Sequence, residues 1–205
     1  MQAFWIQSVS KSASAALCTL RNVYSPNIKV SRLLLLGGAT PDYQTNFMGN
    51  APILCIAANE GIVPMVNLLL EFGADVERTN SQGCTPLILA AIKGHCDVVR
   101  QLVAAGSCLG QTDTQQRCAL VHAAMSGNLK IVKYLVASDW VQRDGNNNDV
   151  DLDEASQQAL IAAASQGHSC IVEDLLDMPD VDVNAVDCIT GNGVSHTIVD
   201  QIHTK

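Results

Sequence analysis

The stretch Cys84-Thr85-Pro86-Leu87-Ile88-Leu89-Ala90-Ala91-Ile92-Lys93-Gly94-His95 decides the reading of this 205-residue chain. Thr85 is placed to cap a helix whose first turn accepts Pro86, because proline lacks only an N–H that would be orphaned there. Ala90 and Ala91 keep one helix face thin, so that a neighbouring helix can approach closely. Gly94 supplies the left-handed turn that ends the helix. Asp97 to Ala105 then reads as a second helix, with Val98, Val99, Leu102 and Val103 at helical spacing, and Gly106 stops it.

The same signature recurs with a period of 33 residues. Gly61, Gly94 and Gly127 share it, as do Leu54, Leu87 and Leu120, Ala57, Ala90 and Ala123, Val66, Val99 and Val132, and Leu69, Leu102 and Leu135. A fourth copy is displaced by 40: Leu160, Ala163, Gly167, Val172 and Leu175. The additional residues fall in the polar run Gln142 to Glu154. Helices of about nine residues are marginal alone in water. Their apolar faces must be covered by the next copy, so stability comes from stacking along a one-dimensional array. The predicted fold class is therefore all-α, a solenoid of stacked helix-turn-helix units with hairpin loops. The pattern G-x-TPL-x-x-AA-x-x-GH-x-x-VV-x-x-LV-x-x-G at Gly83 to Gly106 resembles the ankyrin-repeat family. A 34-residue helical repeat would lack this proline-led start.

Residues 1–22 are read as an N-terminal segment with the first helix (Ser12 to Arg21). Residues 23–188 are read as an array of about five units, with an acidic insert at 141–154. Val30 to Ala39 supplies the second helix of the first unit. The next unit runs from Phe47 to about Thr79, followed by units at Asn80 to Thr112, Asp113 to about Asp139, and near Asp153 to Val186. Nothing from Val194 to Lys205 supplies the Leu-x-x-Ala-Ala expected next, so residues 189–205 are read as an aberrant or truncated tail.

Composition narrows the function classes. The chain is 48% apolar and 16% charged, which argues for a packed core rather than disorder. The longest apolar run, Leu33 to Ala39, falls far short of the roughly 20 residues of a membrane span, and Met1 to Ser10 does not read as a secretory signal. The eight cysteines are dispersed without any CxxC, which favours reduced, mostly buried thiols in a cytoplasmic protein. The net charge is −8 and uneven. Residues 1–40 carry Lys11, Arg21, Lys29 and Arg32 and no acidic side chain, whereas residues 139–187 carry twelve acidic side chains against Arg143. Such a surface repels a polyanion, and nucleic acid is excluded as a partner.

A closer resemblance lies in LRNVYSPNIKVSRLLLLGGA (20–39), YQTNFMGNAPILCIAANEG (43–61), LLLEFGADV (68–76), RCALVHAAMSGNLKIVKYL (117–135) and SQQALIAAASQGHSCIVEDLL (156–176). These stretches resemble the amino-terminal ankyrin array of the TANC scaffolds and the related rolling-pebbles proteins. The resemblance covers about residues 20–176. It implies a large cytoplasmic adaptor, at postsynaptic densities in one branch and in myoblast fusion in the other, of which this chain is a fragment. It also implies an ATPase-like region upstream, which gives the alternative reading: a regulatory ankyrin module of a larger enzyme.

Three kinds of site chemistry are weighed against the repeat. Asp144, Asn146 and Asn148 have a calcium-like spacing, but the loop's glycine position holds Asp149 and its bidentate glutamate position holds Ala155, which favours a solvated acidic loop. His95-Cys96 and His168-Ser169-Cys170 sit at the ordinary Gly-His turn, where imidazole bonds nearby backbone, and four converging zinc ligands are lacking. Cys118 and His122 share a helix face, but nothing supplies an oxyanion hole, and packing plus a backbone hydrogen bond is the expectation. Catalytic residues, metals and cofactors are accordingly expected to be none, and the chain is not read as an enzyme.

Function is expected at the surface instead. An ankyrin array offers its hairpin tips and the concave side of its first helices. The repeat columns place Asn59, Glu60, Thr79, Ser81, Gln82, Ile92, Lys93, Thr112, Thr114, Gln115, Arg117, Met125, Ser126, Ser165 and Gln166 there. Ile92 and Met125 are the apolar anchors, and Lys93 and Arg117 the local charges. The expected partners are proteins, with no membrane insertion. The chain is expected to be a monomer, with association open to it through its uncapped C-terminal end. Trp140 is expected to seal the core against the insert.

Overall fold

The computed structural model of the chain describes residues 12–17, 27–44, 50–140 and 149–178. The expected boundaries at 22/23 and 188/189, and the candidate calcium ligands Asp144, Asn146 and Asn148, lie outside the described residues. The chain divides into two compact units, residues 1–107 and 108–205.

In the first unit, residues 12–17 are helical, and Ser14 Oγ accepts a hydrogen bond from the Thr40 N–H at 2.9 Å. Helix α1 is Ile28–Leu36. It begins two residues before the expected Val30 because Asn27 caps it, accepting from the Val30 N–H at 3.3 Å. Two helical hairpins follow: α2 (Ile53–Asn59) with α3 (Val63–Glu71), and α4 (Pro86–Lys93) with α5 (Cys96–Ala104). First helices pack on first helices and second on second, α2 on α4 and α3 on α5, while α1 packs on α3. Thr85 caps α4 through Oγ1 to the Ile88 N–H (3.2 Å), Pro86 occupies its first turn, and Gly94 ends it with φ +77°. The sequence reading of this hairpin holds at each of these positions.

The second unit repeats the plan with α6 (Ala119–Met125), α7 (Leu129–Val136), α8 (Leu152–Gln166) and α9 (Ser169–Leu176). Here α6 packs on α8 and α7 on α9. The core is the repeated columns. Ala57, Ala58, Ala90, Ala91, Ala123, Ala124, Ala163 and Ala164 are all at most 3% exposed, and Leu54, Leu87, Leu120 and Leu160 at most 1%. The alanines let helix axes approach, and each buried leucine contributes about 1.5–3 kcal/mol. The fold is all-α, as the period predicts, and among the described residues no strand is formed beyond isolated bridges.

One expectation is corrected. The end of the acidic insert is helix, not solvated loop. Asp151 caps α8, accepting from the Glu154 N–H at 2.9 Å, and Asp153 and Glu154 lie in its first turn. Carboxylates there meet the positive end of the helix dipole, so the same charges that read as a loop extend this helix to 15 residues. Residues 149 and 150 are tied to the preceding hairpin: the Val150 N–H donates to the Gly110 carbonyl at 2.9 Å.

Ion pairs join second helices. Arg32 of α1 grips Glu71 of α3 with both guanidinium nitrogens at 2.7 Å, and its cationic carbon stands 5.9 Å from the Phe72 ring centre. The hydrogen bonds donated by the Arg32 guanidinium keep the Glu71 carboxyl below the usual carboxyl range. Lys133 of α7 pairs with Asp174 of α9 at 2.9 Å.

Candidate interaction surfaces

The tips of the hairpins are organised by one side chain per unit. Asn80 Oδ1 accepts from the Gln82 and Cys84 N–H groups at 2.9 and 3.0 Å. One period later, Asp113 Oδ1 accepts from the Gln115 and Arg117 N–H groups at 2.8 and 3.1 Å. An Asx side chain replaces backbone partners in a turn. The third residue beyond it adopts positive φ: Gly83 at +74° and Gln116 at +59°, with Asn50 in the same column at +65°. Asn80 and Asp113 were not singled out from the sequence, although their spacing of 33 is visible there.

Asp113 also turns inward. Its Oδ2 lies 2.8 Å from His122 Nε2, with the two side chains 5% and 12% exposed. His122 is thus held by a carboxylate, not by the expected backbone hydrogen bond. The order Cys118, His122, Asp113 invites comparison with a thiol, base and orienting acid. The thiol decides against it: Cys118 is fully buried, and burial pushes its pKa up to about 11. It stays a protonated packing group. The buried Cys55, pushed up to about 12 by burial, is equally inert and donates to the Arg78 carbonyl at 3.2 Å. Cys170, by contrast, is exposed, against the expectation of buried thiols.

The turn ends of the first helices are fixed by histidines. In the first unit His95 Nε2 lies 2.9 Å from the Asn59 carbonyl of the preceding hairpin, and in the second His168 Nε2 lies 3.0 Å from the Met125 carbonyl. A carbonyl can only accept, so Nε2 carries the proton. The imidazole therefore bonds backbone, as expected, but across 36 and 43 residues of sequence.

Nine of the anticipated surface residues are exposed: Glu60, Ser81, Gln82, Lys93, Thr114, Gln115, Ser126, Ser165 and Gln166. Asn59, Thr79, Ile92, Arg117 and Met125 are half-buried. Thr112 is a correction: it is only 7% exposed, because its neighbour Asp113 is drawn onto α6 by His122 and takes this part of the hairpin inward. Two further side chains are occupied locally. The Asn59 amide donates to Glu60 Oε1 at 2.9 Å, and the Ser165 hydroxyl to the Ala162 carbonyl of its own helix at 2.8 Å.

The second unit also contains a cavity of about 420 Å³ lined by Trp140 and by Asp139, Asp149, Asp151 and Asp153. The Trp140 indole N–H donates to the Leu135 carbonyl at 2.9 Å, so the ring covers the end of α7. Asp149 accepts from the Cys108 thiol at 3.4 Å. Among the described residues, no group of three or more His, Cys, Asp or Glu side chains is arranged to hold a metal ion.

The repeated hairpins, their buried Leu and Ala columns and the histidine bonded to the preceding turn match a known pattern. The family model for ankyrin repeats (three copies) covers residues 22–113 and again 105–187. The chain belongs to the ankyrin-repeat family. Ankyrin-repeat domains are typically non-catalytic modules that mediate protein–protein interaction. Among the described residues, no helix is long and apolar enough to cross a membrane.

Proposed function

We propose that this ankyrin-repeat chain is a non-catalytic scaffold or adaptor module that binds protein segments through its hairpin tips and the turn-end face of its first helices. One observation supports this reading above the rest: the Leu and Ala columns of the core recur unchanged, whereas two columns at the turn ends, half-buried to exposed, do not. The column Asn59, Ile92, Met125, Ser165 changes in every unit, as does Glu60, Lys93, Ser126, Gln166, on backbone that the core and the histidines hold still. A rigid frame with variable side chains lowers the ordering cost of binding. Ile92 in the first unit and Met125 in the second are the apolar anchors of their respective faces, with Lys93 next to Ile92 and Arg117 in the hairpin that precedes α6 as the local charges.

The finer assignment, to the TANC and rolling-pebbles scaffolds at synaptic or cell-contact sites in the cytoplasm, rests on the sequence stretches quoted above. The six free thiols among the described cysteines suit a reducing compartment. The chain acts as a monomer when dilute. Affinity capture with the wild-type chain and with an Ile92→Asp, Met125→Asp variant, read by mass spectrometry, tests the reading. Proteins retained by the wild type and lost by a variant of unchanged helicity support it, and an identical captured set refutes it.

A further inference from the structure

The hairpins at 80–84 and 113–117 share one backbone plan. The Asn80 N–H donates to the Cys84 carbonyl at 3.1 Å, and the Gly83 N–H to the Asn80 carbonyl at 3.0 Å. The Asp113 N–H donates to the Arg117 carbonyl and the Gln116 N–H to the Asp113 carbonyl, both at 3.1 Å. Two side chains set the hairpins apart. The column that holds Ile56, Leu89 and Ala162 holds His122 on α6, and the turn position of Gly83 holds Gln116.

Leu89 has no polar atom to offer Asn80, whose side-chain oxygen bonds only within its own turn among the described residues. His122, at the same point one repeat later, reaches Asp113. Its Nε2 stands 2.8 Å from Oδ2, while Oδ1 of the same carboxylate holds the Gln115 and Arg117 N–H groups. One carboxylate thus ties the turn to the helix, and burial of both partners keeps water from competing for the bond.

At the tip of that turn Gln116 is exposed, with φ +59°. Glutamine in the left-handed region is strained, and such strain persists only where the surroundings fix the backbone, as they do at ligand clamps. In the hairpin at 80–84 a glycine takes this position without strain.

We infer that His122 is a positioning residue for partner binding: through Asp113 it holds the hairpin at 113–117 in one conformation with Gln116 presented at its tip, whereas the hairpin at 80–84 adapts to what it meets. The inference rests on the reading that hairpin tips bind protein segments, and it makes the second unit's hairpin the one that discriminates between partners. A turn fixed beforehand lowers the ordering cost for a segment that fits it and does not reshape around one that does not. The strain at Gln116 is kept for binding although it lowers stability.

Amide exchange of the full chain without a partner, read by NMR, tests the lock. The Gln115 and Arg117 N–H groups should be protected about tenfold more than those of Gln82 and Cys84. His122→Leu, which restores the side chain found at 89, should bring the two hairpins within about twofold of each other. Circular dichroism checks its fold, and His122→Phe replaces it if it unfolds. Calorimetry then uses a purified protein that the wild-type chain retains in the affinity capture described above. His122→Leu should weaken its binding about fivefold. Gln116→Gly should also weaken binding while raising the melting temperature, a divergence that a purely structural role does not produce. Equal protection of the two wild-type hairpins, or protection indifferent to the loss of the imidazole, overturns the inference and leaves the proposed function standing. So does an affinity that His122→Leu does not change. A chain that captures no partner removes the proposed function, and this inference with it, even where exchange finds the lock.

Discussion

The ring of His95 lies where a side chain on Gly61 would have to be: a Cβ built on Gly61 would stand 2.5 Å from His95 Nδ1. Gly61 also has φ +70°, and in the second unit Gly127, at +73°, stands in the same relation to His168. The glycine at the end of each of these first helices therefore serves twice. It turns the chain, and it leaves room for the imidazole that bonds the preceding carbonyl.

Gly61→Ala is predicted to destabilise the chain by on the order of 2–3 kcal/mol, combining left-handed strain with displacement of the ring. His95→Ala alone should cost about 1 kcal/mol through the lost bond to the Asn59 carbonyl. Urea denaturation of the double variant should give less than the sum, because the ring is no longer there to collide with. Additive costs would mean that the two residues do not share the space.

Gln116 occupies the left-handed position that Gly83 fills one repeat earlier. Gln116→Gly should stabilise by about 0.5–1 kcal/mol, the strain relieved outweighing the added freedom of the unfolded chain. Gly83→Gln should destabilise by a similar amount. Thermal unfolding of the two variants checks both signs.

Asp113 serves three donors, the N–H groups of Gln115 and Arg117 and the imidazole of His122. Asp113→Ala should cost about 2–3 kcal/mol, because buried donors lose their acceptor. Asp113→Asn should cost about 1 kcal/mol, since Asn80 organises the preceding hairpin with its amide oxygen alone. Chemical denaturation distinguishes the two.

The grip of Arg32 on Glu71 holds the carboxyl below its ordinary value of 4.5 in the folded chain. Its contribution is thus present above that value and disappears as pH falls through the lower, folded-state value. The melting temperature of the wild type should exceed that of Arg32→Gln at neutral pH, with the gap closing on acidification below 4.5. Both groups are open to solvent, so salt should narrow the gap as well.

The features legible in the sequence were those set locally. Thr85, Pro86 and Gly94 specify α4 with their own backbone, and the Leu and Ala columns announce a stack because each must be buried by its neighbour. What stayed hidden depends on contacts between segments or on charges with two readings. Asp151, Asp153 and Glu154 suit either a solvated loop or the start of a helix, and the sequence alone does not say that α8 begins there. Thr112 looks like an open hairpin residue until Asp113 is seen bonded to His122. The histidine bond to the preceding turn spans 36 or 43 residues, and a local pattern predicts a backbone bond without naming the carbonyl.

The central claim is that the chain presents variable side chains on a fixed frame. Amide hydrogen exchange of the chain alone and saturated with a captured partner measures this directly. The account predicts added protection at the turn ends 59–60, 92–93, 125–126 and 165–166 and at the hairpins 79–82 and 114–117, with α3, α5 and α7 unchanged. Protection concentrated in those second helices, and absent from the turns and hairpins, would contradict it.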